Sequence, residues 1–171
     1  MATIYFVPVS FNCLGATLVD AHLNLNTNRE IVDIMNGACR TPEFLAMNPM
    51  HCIPTYKNAN GDACWEGNII VRQMAAGSNL IPADAHGLMR MEQALYFRTL
   101  QLYKVIAPLV YPILGFAAPL DAAAHEKALN EANEMLDVFF NHFAKNGSFA
   151  IGDLSIAGMY SCVYIPIYLL I

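Results

Sequence analysis

Apolar and polar positions follow two different rhythms along the chain. In the first 77 residues the apolar blocks are short and close to turn signals. "TIYFV" (residues 3–7) is a β-branched and aromatic run stopped by Pro8, and it predicts a buried strand. Apolar Leu14, Leu18, Ala21 and Leu23 predict a helix over residues 13–23, and "EIVDIM" (residues 30–35) predicts the next strand. Thr41-Pro42-Glu43 is a helix start: a capping threonine, proline at the first helical position and an acid at the positive end of the dipole. That helix ends at Asn48-Pro49. Two strands at residues 53–57 and 63–65 flank Asn60-Gly61, a hairpin signal, and a helix follows over residues 68–76. The order is a βαβ unit, then a β-hairpin and a helix.

From Asp84 the rhythm becomes helical throughout. Helices are predicted over residues 87–106, 121–144 and from 155 onward. "APLVYPILGFAAPL", with three prolines and a glycine, predicts a kink or an end after the first of them.

Composition narrows the function classes. Charged residues make up 13% of the 171, against roughly 25% in an average soluble domain, and the mean hydropathy is +0.38. Such a surface calls for cover by a partner or a membrane, or for polar segments of the full gene product outside this chain. The net charge of −5, with Lys and Arg scattered, supplies no basic stripe for nucleic acid. Five cysteines without a C-x-x-C pair argue against a disulfide framework and a zinc knuckle and fit a reducing compartment: the cytoplasm, or an organelle after removal of a transit peptide. The N-terminus shows no secretory signal. Residues 154–171 form an 18-residue uncharged run, the length of a spanning helix. Ser155, Ser161 and Pro166 favour a helix buried inside a bundle instead.

"TPEFLAMNPMHCIPT" (residues 41–55) together with "CWEGNII" (residues 64–70), between a βαβ start and an all-helical second half, resembles the cytosolic glutathione S-transferases, above all the insect-type and related classes that use a serine near the N-terminus. The resemblance runs the length of the chain. It implies an α/β thioredoxin-like N-terminal domain over residues 1–78 that binds glutathione, then an all-helical domain over residues 85–171 that lacks the family's terminal helices.

The resemblance also assigns roles to residues. Pro54 matches a cis proline that turns the backbone of Ile53 toward the cysteinyl part of glutathione. His51 matches a residue at the glycine carboxylate end, a role suited to a donor side chain. Glu66 precedes a helix whose free N–H groups form an anion site; the family places the γ-glutamyl group there, and Gly67 supplies a backbone N–H. Ser10 falls where the serine classes keep a hydroxyl that donates to the glutathione sulfur. A hydrogen bond to the charged form lowers its pKa, and the thiolate is the nucleophile. Read without the family, Ser10 is a helix N-cap, Glu66 a capping acid and His51 a loop histidine. Cys13, inside the first helical turn, reads as a packing residue. Tyr96, Tyr103 and Ile106 lie on the first long helix at spacings that suit a core as well as an electrophile pocket. No metal is implied.

Five positions depart from the family pattern. Gly67 stands for a serine, Asn68 and Leu14 for arginines, Met50 for a glutamine and Gly158 for an acid. Losing the hydroxyl and the charged partner weakens glutathione binding by about 2 to 4 kcal/mol, or about 30- to 1000-fold. Two readings follow. One is an enzyme that conjugates glutathione, as co-substrate, to a hydrophobic electrophile. The other is a catalytically weak transferase-fold subunit, a pseudoenzyme, buried in a homodimer or larger assembly, touching membrane only through its partners.

Overall fold

The computed structural model describes residues 1–145 and 149–164, and the chain divides into two compact units, Met1–Ser78 and Asn79–Ile171.

The first unit is built on a four-stranded mixed sheet in the order β2-β1-β3-β4. β1 (Thr3–Phe6) leads into α1 (Phe11–Leu23) and then β2 (Asn28–Ile31), which pairs parallel with β1. A 3₁₀ turn at Ala38–Arg40 precedes α2 (Pro42–Met47). Thr41 caps α2, its hydroxyl accepting the Phe44 N–H at 3.3 Å. β3 (Thr55–Lys57) and β4 (Ala63–Trp65) form the hairpin, and α3 (Gly67–Met74) closes the unit. α1 and α3 bury Phe11, Cys13, Ala16, Val19, Ile70 and Val71, with Ile4 of β1 among the fully buried residues. A second cluster, Val32, Cys39 and Phe44, gathers Tyr5, Met47 and Ile53.

β2 is earlier and shorter than "EIVDIM" predicts. Its partner β1 ends at Phe6, so pairing stops once the Val32 N–H has reached the Phe6 carbonyl at 2.9 Å. Beyond it the chain turns. The Asp33 carboxylate accepts the N–H and the side-chain amide of Asn36 at 3.2 and 2.7 Å.

Asp20 ties the end of α1 to the start of β2. Its nearly buried carboxylate accepts from the Thr27 hydroxyl, from the Thr27 N–H at 3.1 Å and from Arg29 at 2.7 Å. Burial alone pushes this carboxyl up, but the bonds from Thr27 and Arg29 outweigh it and hold the group below the ordinary Asp value. A carboxyl whose pKa is depressed by folding stabilises the fold above its unfolded pKa, about 4, and that contribution is lost as pH falls through the lower folded value. Thermal melts should therefore weaken below about pH 4. Asp20→Asn should lose about 1 to 3 kcal/mol at neutral pH, discounted for a half-exposed Arg29, and flatten the acid limb. An acid limb as steep as the parent's would disprove this account of Asp20.

The second unit is helical. Asp84 caps α4 (Ala85–Phe97) through the Gly87 N–H at 2.9 Å. α4 passes through a π-helical turn at Arg98–Leu102 into α5 (Tyr103–Ile113) without a break. Asp121 caps α6 (Ala122–Val138) through the Ala124 N–H at 2.8 Å, and a second π-helical turn covers Phe139–Phe143. α7 (Ile156–Ser161) starts at Ser155, whose hydroxyl accepts the Gly158 N–H at 3.4 Å. Half of the capping box therefore works without the acid that Gly158 replaces.

The first long helix outruns its expected end. Pro108 and Pro112 sit inside α5. Pro108 and Lys104, whose carbonyl loses its partner, are exposed, while Ile106, Leu109 and Val110 hold the opposite face in the core. The lost bonds fall where water can replace them. Among the described residues no helix is long and apolar enough to cross a membrane; residues 165–171, most of the C-terminal half of the uncharged run, lie outside the described residues.

Candidate functional site

The register of the sheet brings three loop ends together. Tyr5 of β1 faces Thr55 of β3 antiparallel, and Thr55 faces Trp65 of β4 antiparallel. The end of β1, the start of β3 and the end of β4 thus share one end of the sheet. Ser10 follows β1, Ile53-Pro54 immediately precedes β3, and Glu66-Gly67 immediately follows β4.

Each position has its own local geometry. Ser10 is the residue before α1, with extended backbone (φ −81°, ψ 112°), and its side chain caps no helix N–H. Its hydroxyl lies instead beside the Cys13 thiol. Burial pushes that thiol up, against the lowering effect of the Val7 backbone and the Ser10 side chain. Cys13 is fully buried, so the structure places it as a packing residue. The Ile53–Pro54 peptide is cis.

Glu66 adopts φ 68° and ψ 113°, a sparsely populated region for a side chain with a Cβ, and caps no helix N–H. The simple capping account of Glu66 therefore fails. Gly67 begins α3, one of whose first backbone donors is its own N–H. His51 is exposed on the same loop as Pro54, at its outer turn, with left-handed φ 45°. Ile106 is buried in the core of the second unit, Tyr96 is exposed, and the half-buried Tyr103 hydroxyl bonds that of Tyr111 at 2.6 Å. Among the described residues no three His, Cys, Asp or Glu side chains gather as a metal site would need.

Sequence reasoning passed over Asn48, reading it only as a helix end. It is 0% exposed and sits at the centre of the loop of residues 48–55. Its Nδ2 donates to the Cys52 carbonyl at 2.9 Å and to Thr55 Oγ1 at 2.8 Å, and its Oδ1 accepts the Met50 N–H at 2.9 Å. The available signal was weak: a polar residue one place after the periodic apolar residues of α2.

No protein-family model matches the chain. Solved structures do. A glutathione S-transferase from Pseudomonas fluorescens [Pf-5] superposes with a TM-score of 0.86 at 25% identity, covering 98% of this chain and 84% of that one. A possible glutathione S-transferase from Rhodopseudomonas palustris gives 0.86 at 29%, over 99% and 78%. A delta-class glutathione transferase from Nilaparvata lugens gives 0.85 at 28%, over 96% and 77%. A thioredoxin-like unit followed by an all-helical unit is the architecture these proteins share with this chain. The chain therefore has the glutathione S-transferase fold and is similar to members of that family.

Proposed function

We propose that residues 1–78 bind glutathione and that the chain conjugates it to a hydrophobic electrophile. The observation that carries this reading is the convergence of Ser10, cis Ile53–Pro54 and Glu66 at one sheet end. The backbone of Ile53 offers an N–H and a C=O to the cysteinyl residue, as an added strand would. His51 takes the glycine carboxylate end. The Glu66 carboxylate takes the γ-glutamyl ammonium, and the Gly67 N–H at the start of α3 takes its carboxylate. Ser10 donates to the sulfur, which favours the thiolate. The thiolate forms a C–S bond to the electrophilic carbon, the leaving group departs with its electron pair, and the thiol proton has already passed to solvent.

Gly67 brings a backbone donor but no hydroxyl, so affinity at the γ-glutamyl end is reduced. Calorimetric titration of the full chain should give one saturable glutathione site at millimolar ligand. Absence of heat would overturn the proposal.

One observation favours a second reading, a structural subunit. Met89, Tyr96 and Leu100 are exposed at spacings of seven and four, on one face of a helix. That reading predicts no titration heat and, by light scattering, a stable assembly.

A further inference from the structure

We infer that Asn48 is a positioning residue of this site: its buried carboxamide orients the peptide plane from which Ile53 meets the ligand. The inference rests on the glutathione reading above.

Every polar atom of Asn48 is engaged. Besides the three side-chain bonds already given, its N–H donates to the Phe44 carbonyl at 2.8 Å, and its carbonyl accepts the His51 N–H at 3.0 Å. Thr55 Oγ1, itself buried, also donates to the Cys52 carbonyl at 2.9 Å. The Cys52 carbonyl is therefore held twice, by Asn48 and by Thr55.

That carbonyl shares a rigid plane with the Ile53 N–H. The only cis bond in the described chain is the next one, Ile53–Pro54, so the Cys52–Ile53 peptide is trans. In a trans plane the C=O and N–H point in opposite directions. Holding the Cys52 oxygen against Asn48 and Thr55 therefore directs the Ile53 N–H away from them. The Asn48 side chain also accepts the Met50 N–H, so the backbone on both sides of His51, at Met50 and at Cys52, is set from one side chain, while the His51 N–H is held by the Asn48 main-chain carbonyl. None of these bonds involves the exposed side chains of Met50 and His51 or the partly buried one of Ile53. The control is exerted on backbone direction alone.

Asn48→Asp tests this with almost no change of shape. The carboxylate still accepts from Met50 but no longer donates to the Cys52 carbonyl, and it faces that oxygen with a charge. Thr55→Val removes the second grip isosterically and serves if Asn48→Asp does not fold. In calorimetry on the full chain at low temperature, we expect glutathione to bind about tenfold or more weakly to folded Asn48→Asp and several-fold more weakly to Thr55→Val. The ionisation profile of the bound thiol should not move, because Ser10 is untouched. A residue with a merely structural role would lower the melting temperature and leave the affinity of the folded protein alone. Parental affinity in the folded variants, with the parent binding, overturns the inference and spares the glutathione reading. A parent that takes up no glutathione overturns both.

Discussion

Ser10→Ala is expected to lower kcat/KM for glutathione conjugation by about 10- to 150-fold, the worth of one hydrogen bond to a charged acceptor, about 1.5 to 3 kcal/mol. The loss should fall on the thiolate. A titration of bound glutathione by ultraviolet absorbance should show the thiol pKa moving up by about one to two units, while affinity for the tripeptide changes little. The structure separates this effect from a folding defect. The Ser10 side chain caps no N–H of α1, so alanine removes no helix cap, and it makes no bond to Asn48 or Thr55. The melting temperature should therefore stay within a few degrees of the parent. Full turnover with an unshifted titration would remove Ser10 from the mechanism.

Arg98→Ala should cause the largest loss of stability of any single change considered, about 3 to 5 kcal/mol. Arg98 is 4% exposed at the start of the first π-helical turn, and its guanidinium lies 3.6 Å from the ring centre of Tyr160 and 5.0 Å from that of Tyr164. The charge is thus desolvated against two aromatic faces, where a cation–π contact is worth about 2 kcal/mol or more. Truncation adds the cavity left by the side chain. The predicted fall in melting temperature, by circular dichroism, is on the order of 10 °C. Arg98→Lys should recover only part of it, because an ammonium does not stack as a planar guanidinium does. A lysine variant as stable as the parent would show that charge alone, rather than stacking, holds α7 to this helix.

Local signals in the sequence carried most of the first unit. Thr41 caps the helix it was assigned to, Asp121 caps the helix expected to start there, and Asn60-Gly61 turns the β3–β4 hairpin, because caps and tight turns are decided within a few residues. Features that depend on a distant partner were harder to read. The end of β2 is set by where β1 stops. The passage of α5 through Pro108 and Pro112 depends on which face meets the core. The two π-helical turns leave the spacing of apolar residues nearly unchanged, so no periodicity announces them. Asn48 was missed for the same reason: an asparagine before a proline reads as a stop, and only the folded loop shows it buried among its own backbone.

The departures from the family pattern divide by location. Met50 is 58% exposed and its side chain enters none of the bonds that hold the loop, so that substitution leaves the site's frame untouched. Gly67 and Asn68 lie at the start of α3, where a backbone donor can survive the loss of a side chain but a charge cannot be replaced by one.

The bonds of Asn48 run to main-chain atoms at Phe44, Met50, His51 and Cys52, to the Cys52 thiol and to one buried hydroxyl. Frame and lettering are therefore separate in this loop. The side chains of Pro49, Met50 and His51 are exposed, enter none of these bonds and can be exchanged without disturbing what holds them. A lineage could rewrite what the loop recognises one outward residue at a time, provided that it keeps a single inward asparagine.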